Sequence, residues 1–231
     1  MELKPIGYIE SCFPEKFGTP RQPGLVPSAR AKMQLRREIQ PEQALLGLEG
    51  FSHIWVIFEF HLNSNLRYHS KVHPPRLGGE SIGVFATRSP HRPNPLGLSL
   101  VRLEKIEGDT LYLLGGDLVD GTPVYDIKPY LPHFESLPTA KVGWVDQALS
   151  LDVVVQLSAE AESVLAQIDR EQPEIQIRRL IKESIGQDPR PLAYKKEGFD
   201  QKVHALRLYK WDIHFVFLDD KLARVERVTL F

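Results

Sequence analysis

Cysteine is nearly absent: Cys12 is the single one in 231 residues. No disulfide framework can form within the chain, which fits a reducing compartment. Long apolar runs are missing too. No stretch nears the ~20 apolar residues of a membrane span, and MELKPIGYIE has no signal-peptide core. Together these absences predict a soluble, cytoplasmic protein without a membrane partner. A net charge of −1 gives no chain-wide attraction to polyanions. Several site motifs are absent as well. There is no G-x-G-x-x-G after a strand and no G-x-x-x-x-G-K-[ST], so neither a Rossmann nor a P-loop nucleotide site is supported. His61, His69 and His73 lack an H-E-x-x-H arrangement, and a lone cysteine excludes a cysteine zinc site; no metal is expected. His53 lies in an apolar strand pattern and reads as a hydrogen-bonded core residue. There is no G-x-S-x-G, and Cys12 has no histidine close in sequence.

What is present is unevenly distributed. Between His61 and Pro95, Arg67, Lys71, Arg76, Arg88 and Arg92 face Glu80 alone, and four of the eight histidines fall there. Between Leu151 and Arg178, Asp152, Glu160, Glu162, Asp169, Glu171 and Glu174 face only Arg170 and Arg178. Such a division points to one specialised surface. The segment PEKFGTPRQPGLVP packs four prolines and two glycines into fourteen residues, which forbids helix and central strand alike.

Apolar patterning predicts short strands at PIGYIES, FSHIWVIFEFH, SIGVFATR, LGLSLVRLEKIEG and DTLYLLGG, with a short helix at PEQALLGLEGF. DLVDGTPVYDIKPYLP reads as turns leading into another strand. After about Trp144 the texture changes. SAEAESVLAQIDREQP is an amphipathic helix with Ser158 as N-cap, and EIQIRRLIKESIG is a second, with Gly186 placed just past its end. VHALRLY, WDIHFVFL and LARVERVTLF alternate as strands. The expected fold is mostly β. Residues 1–145 form a β-barrel, since no crossover helices separate the strands and closure removes the edges. Residues 146–231 form a small α+β domain.

Chemistry concentrates in the loops. In VFATRSPHRPNPLGLSL, Pro90, Pro93 and Pro95 stiffen a segment carrying Arg88 and Arg92. A loop so constrained loses little entropy on binding, although a rigid connector with solvated arginines explains the pattern equally well. TPRQPGL sets Arg21 and Gln22 between prolines, and HPPRLGG sets Arg76 before two glycines, where backbone can approach a ligand. Asp117, Asp120, Asp126 and Lys128 crowd into one segment. They suit a cation, a ribose, a base role or plain turn chemistry.

PRQPGL, GFSHIWVIFEFH, PPRLGG, GVFATRSPHRPNPLGLSLV, DLVDGTPVYDIKPYLP and QDPRPLAY, in this order, resemble the TsaA-like, TrmO-type family from about Ile6 to the C-terminus. The resemblance implies a homodimeric, S-adenosylmethionine-dependent tRNA methyltransferase with a single barrel and a C-terminal domain. It implies as substrate the threonylcarbamoyl-modified adenosine 3′ of the anticodon in threonine tRNA, methylated on its exocyclic nitrogen. Cofactor-contacting positions match Pro23, Gly24, Leu25, His61, Leu62, Arg88, Leu98, Asp117, Leu118, Val119, Asp120 and Gly121. The DPRP…Y element matches Asp188, Pro189, Arg190, Pro191 and Tyr194. Leu62 departs from the polar residue that relatives often carry there, so any contact from it is apolar or through backbone.

With that resemblance the loops acquire expected roles. Leu25 and Leu98 would wall an adenine, and Arg88 would pair a carboxylate or steer a phosphate. The acceptor nitrogen is a poor ureido-type nucleophile, so a base is expected: Asp120 or Asp126, with His61 and Tyr194 behind them. Arg76, Arg92 and Arg190 would contact RNA, with Arg36 and Arg37 adding phosphate contacts. Tyr68 or Tyr194 would stack on an unpaired base. A non-catalytic RNA- or nucleoside-binding module, or a small-molecule hydrolase, stays open as the alternative.

Overall fold

A computed structural model describes residues 2–63, 68–147, 152–190 and 202–231. Strands β1 (Gly7–Ser11), β2 (Arg30–Leu35) and β3 (His53–Glu59) alternate inward apolar with outward polar or half-exposed residues. A two-strand flap, β4 (Lys71–Val72) and β5 (Ile82–Gly83), follows. Then come β6 (Leu96–Glu107), β7 (Thr110–Leu114) and β8 (Pro123–Pro129). Six of these close a barrel in the order β1-β2-β7-β6-β3-β8. Every contact in it is antiparallel, and Gly7 opposite Val124 seals the ring. The interior is filled by Ile9, Met33, Ile54, Val56, Phe58, Val101, Leu111, Leu113 and Val124, all nearly inaccessible. Period-two alternation puts one face of β1, β2, β3, β6 and β7 into that core, while β8 is irregular at a register shift opposite Ile57 and Phe58. Gly97 is required by it: a Cβ there would lie 2.2 Å from Cζ of Phe58.

Between β2 and β3 runs a one-turn helix, α1 (Pro41–Ala44), with Pro41 in its first turn as expected. After β8, α2 (Pro132–Glu135) starts an arm along the barrel's outer wall. Trp55 Nε1 donates to Glu135 at 2.7 Å, and Trp144 Nε1 to the Ala86 carbonyl at 2.9 Å.

The C-terminal half has its own sheet, ordered β10-β11-β12-β9. Its strands are β9 (Val154–Leu157), β10 (His204–Leu208), β11 (Trp211–Asp219) and β12 (Leu222–Leu230). Helices α3 (Ala159–Glu171) and α4 (Ile177–Gly186) cover it, burying Leu165, Leu180, Ile181 and Ile185 against Ile213, Phe215 and Val225. Ser158 caps α3, accepting from the Ala161 amide at 3.1 Å. Cys12, Phe13, Val26 and Ala29 also belong to this second core. The proline-rich segment is thus a strap that joins the two halves, not a free loop.

Several expectations need correction. SIGVFATR is not one strand: it gives the two-residue β5 and then a 3₁₀ turn at Val84–Ala86, with Phe85 exposed beneath Arg92. The second helix begins at Ile177 rather than Glu174, because Gln176 is left-handed (φ 49°). Gly186 is the last residue of α4, and the left-handed residue beyond it is Asp188 (φ 47°). β2 and the parallel strand β9 were not foreseen. His53 sits half-exposed on the outer face, bonded to Ser52 Oγ at 2.9 Å, and is not a core residue.

Candidate active site

β6 pairs with β3 from Leu96 to Arg102 but with β7 only from Arg102 onward. Its first half therefore has an edge without a ladder partner among the described residues. Alternate backbone N–H and C=O groups there face away from β3, free to bind a ligand. Leu98 is half-exposed on this stretch, while Ser99 points inward and is buried.

Two loops border that edge. The first, 115–122, leaves β7. Asp117 accepts from Ser99 Oγ at 2.5 Å. Burial pushes the Asp117 carboxyl above its ordinary range, and the Ser99 bond and the Arg88 charge pull it back. Leu118 is buried in the barrel core, so only its backbone can meet a ligand. Thr122 Oγ1 donates to the Val119 carbonyl at 2.6 Å. Gly121 has φ 75° and donates its amide to Ile9 at 2.8 Å. His61 Nδ1 lies 3.4 Å from Thr122 Oγ1, and its Nε2 would be 3.8 Å from a Cβ on Gly121. A side chain at Gly121 would meet both strain and this ring.

The strap supplies the second border. Gly24 donates to the Gly115 carbonyl at 2.8 Å, binding the two loops together. Its φ is 80°, and nothing lies within 4 Å of where a Cβ would be. Pro23 and Leu25 flank it, half-buried. Arg88 reaches across from the proline-stiffened loop and donates to Gln22 Oε1 at 2.8 Å. The structure thus brings Gln22, Gly24, Arg88, Ser99 and Asp117 to one place. Leu62 is exposed beside His61.

The carboxylates separate. Asp120 accepts from the Ser11 amide at 2.8 Å and lines a cleft of about 350 Å³ with Gln172, Tyr209, Lys210 and Trp211. Asp126 stands on the outer wall, 2.8 Å from Lys128 Nζ, in one lateral row with Ile57 and Leu98. With strands ~4.8 Å apart, Leu98 and Asp126 are roughly 10 Å from each other.

The arginines assigned to RNA fare unequally. Arg190 is 5% exposed, holds Asp188 at 2.9 and 3.1 Å, and stacks 3.4 Å over Phe217. Its donors are turned into the fold, so it presents no surface to a phosphate. Arg92 gives Nη1 to the Thr87 carbonyl at 2.8 Å and packs on Phe85, bracing its own loop. Arg76 turns toward Gln187 in the C-terminal half. Tyr68 is half-exposed. Tyr194 and Pro191 lie outside the described residues. Sequence reasoning missed Ser99, Thr122, Lys210 and Trp211. Ser99 was detectable as the one hydroxyl on an otherwise apolar inward row of Gly97, Val101 and Leu103.

Comparison with known proteins fits this layout. A mouse tRNA (adenine(37)-N6)-methyltransferase is 57% identical over 135 residues, 58% of this chain and 31% of its own. The chain thus spans about a third of the length of that relative. An Escherichia coli K12 protein of the same name is 42% identical over 223 residues, 94% of each chain. A Pseudomonas aeruginosa protein, whose name is that of an S-adenosylmethionine-dependent methyltransferase, is 44% identical over 226 residues, covering 96% of this chain and 95% of its own. The crystal structure of TrmO from P. aeruginosa superposes with TM-score 0.81 at 36% identity, covering 99% of this chain and 98% of that one. Residues 8–136 match the tRNA-methyltransferase O N-terminal domain and residues 150–230 the TrmO C-terminal domain. With both halves matched in order, on a barrel whose loops converge on one open strand edge, the chain belongs to the tRNA-methyltransferase O family.

Proposed function

We propose that this chain methylates the exocyclic nitrogen of the threonylcarbamoyl-modified adenosine 3′ of the anticodon in threonine tRNA, with S-adenosylmethionine as donor. The names of the relatives support adenine 37 of tRNA and the donor. The sequence resemblance supports the finer substrate. The observation that carries the reading is the open edge of β6, bordered by the Gly24 strap and the 115–122 loop, which Gly24 ties together through the Gly115 carbonyl.

The residues present fit a nucleoside with a charged amino-acid tail. Half-exposed Leu98 and half-buried Leu25 offer apolar walls. The free backbone of β6, with the backbone of Gly24, Leu118, Val119 and Gly121, reads polar edges. Asp117 faces ribose hydroxyls, and exposed Arg88 takes a carboxylate. When bound, S-adenosylmethionine supplies a methyl group on a sulfonium, already a good leaving group. The protein then has to align the acceptor nitrogen and remove its proton. Alignment is worth roughly 7–11 kcal/mol in favourable cases. Asp120 and Asp126 are the proposed proton acceptors, supported by His61 and Tyr194. Arg76 and Arg92 add positive charge along the RNA path.

The chain works as a homodimer in cytoplasm, where its substrate resides. The arm after β8 supports self-association: Leu131, Phe134, Leu137, Val142 and Val145 are all exposed on it. Exposed apolar side chains concentrated on one segment suit an interface. Among the described residues no helix is long and apolar enough to cross a membrane.

The deciding test is transfer of labelled methyl to threonine tRNA with and without the threonylcarbamoyl group. Transfer only to the modified RNA is expected. Binding of the donor without transfer would favour a sensor module, and turnover without the donor would favour a hydrolase. In single-turnover runs, Asp120→Asn or Asp126→Asn should slow the chemical step by about 10²–10⁴-fold. If neither slows it by more than a few-fold, neither carboxylate is the base.

A further inference from the structure

A second cavity lies where the strap, the flap and the end of α4 meet. It measures about 20 Å³ and is lined by Thr19, Arg21, Leu25, Arg76, Ser184 and Gln187, among others. That is room for one oxygen-sized group. Ser184 is 1% exposed, and its hydroxyl has no hydrogen-bond partner among the described residues. Arg21 Nη1 is likewise buried without a partner among the described residues, while its Nη2 donates only distantly, at 3.4 Å, to the Arg190 carbonyl. Arg76 Nη2 makes an equally long contact with Gln187 Oε1. Buried polar groups are rarely left unmatched, because each carries a desolvation penalty.

The charge balance is one-sided. Burial lowers Arg21's hold on its proton, and the nearby Arg76 charge lowers it further, while Asp188 opposes. Yet Asp188 already binds Arg190 through both oxygens. The Arg21 guanidinium N–H and the Ser184 O–H are available as donors. An acceptor-only, negatively charged occupant suits such a lining better than water, which brings hydrogens of its own. Planar guanidinium groups match phosphate oxygens in particular.

We propose that this junction cavity is a receptor for a single phosphate group, one oxygen of which sits among Arg21, Ser184 and Arg76. The phosphate comes either from free orthophosphate or from an RNA backbone. The proposal adds to the methyl-transfer reading and does not rest on it, because it concerns the protein without donor.

The test is a titration of the full chain with sodium phosphate against sodium chloride at fixed ionic strength, followed by melting temperature and calorimetry. Phosphate should give a saturable rise in melting temperature that chloride does not, since a ligand of the folded state alone stabilises by mass action. Ser184→Ala, which keeps the packing, and Arg76→Gln, at the rim, should each weaken phosphate binding about tenfold, as expected for loss of a charge-assisted bond. Arg21→Met should abolish it; if that variant does not fold, the other two carry the test. Equal responses to phosphate and chloride, or undiminished binding in both Ser184→Ala and Arg76→Gln, would overturn the proposal. A second arm uses an anticodon stem-loop of threonine tRNA. If phosphate displaces it from the wild type but not from Ser184→Ala, the RNA supplies the group. If the hairpin is indifferent to phosphate while phosphate still saturates, the occupant is free orthophosphate. Both results keep the site.

Discussion

The two halves of the molecule use arginine in opposite ways. In the C-terminal half, Arg178, Arg179, Arg190, Arg207 and Arg224 each bind a carboxylate. In the loops at the barrel end, Arg21, Arg76, Arg88 and Arg92 bind neutral partners: backbone carbonyls or the side-chain amides of Gln22 and Gln187. A neutral acceptor fixes a guanidinium in place without a direct ion pair; the nearby Asp188 and Asp117 offset only part of the charge of Arg21 and Arg88. Paired arginines hold a fold together, whereas these four keep a local positive field in a chain whose net charge is −1. The rule has limits on both sides: Arg170 in the C-terminal half donates to the Ala166 carbonyl at 3.1 Å, and Arg30 and Arg36, on the barrel wall and its rim, pair with Glu104 and Glu38.

The sharpest way to break the comparison is at Arg190. Arg190→Met leaves Asp188 buried at 3% exposure without its bidentate partner. Removing one member of a buried pair costs about 3–5 kcal/mol. Urea unfolding should show that loss, and a value under 1 kcal/mol would mean the pair is not structural. Arg88→Met should do the reverse. Its stability should change by less than about 0.5 kcal/mol, as for surface substitutions generally. Its affinity for S-adenosylhomocysteine, measured by calorimetry, should drop about tenfold or more through loss of one charge-assisted contact. Arg88→Lys retains the charge but not the fixed fork, so it should recover only part of that loss.

This division of labour was only partly visible in the sequence. Barrel and appendage were legible because short apolar runs are bounded by turn residues, and because helix α3 carries its own cap in Ser158. HIWVIFE, apolar on both faces, reads as a strand covered on both sides, whereas only Ile54, Val56 and Phe58 are buried. β2 was missed because RAKMQL offers only Ala31, Met33 and Leu35 inward, a weak signal directly after a proline-rich stretch. SIGVFATR misled because Val84 is buried but Phe85 is not; its ring is held by Arg92 rather than by the core. The gathering of site loops was legible as a set of motifs, since proline and glycine mark where backbone is fixed or exposed. Their partners were not. Ser99 meets Asp117, and Arg88 meets Gln22, through contacts 18 and 66 residues apart that local pattern cannot register. The same holds for Arg190, which reads as basic surface in DPRP and is buried only because Phe217 and Asp188 enclose it.

A gentler probe compares salt dependence. Binding of the anticodon stem-loop should weaken as salt rises, and Arg76→Gln should flatten the logarithmic slope by about 1, the effect of one lost phosphate contact. Arg224→Gln should leave the slope unchanged, because Glu226 already neutralises that side chain. Equal flattening by both would erase the distinction between the halves.

The smallest effect concerns Asp117, a carboxylate sited in the arginine-rich end. Burial raises its folded-state pKa above the ordinary 3.8, with Ser99 and Arg88 only partly opposing. A raised folded pKa means the folded state holds the proton more tightly than the unfolded one. Its favourable contribution is therefore complete below the unfolded value and lost as pH climbs through the folded one. Above that window the charged Asp117 costs the folded state stability. Asp117→Asn cannot ionise, so its stability should stay flatter than the wild type's as pH rises from about 3.8 toward neutrality. Melting curves across that range check this. If the wild type and Asp117→Asn run parallel, the carboxylate is not shifted by its surroundings. If the wild type instead gains stability over Asp117→Asn as pH rises, the Arg88 field outweighs burial, and the barrel end would be pairing its charges as the C-terminal half does.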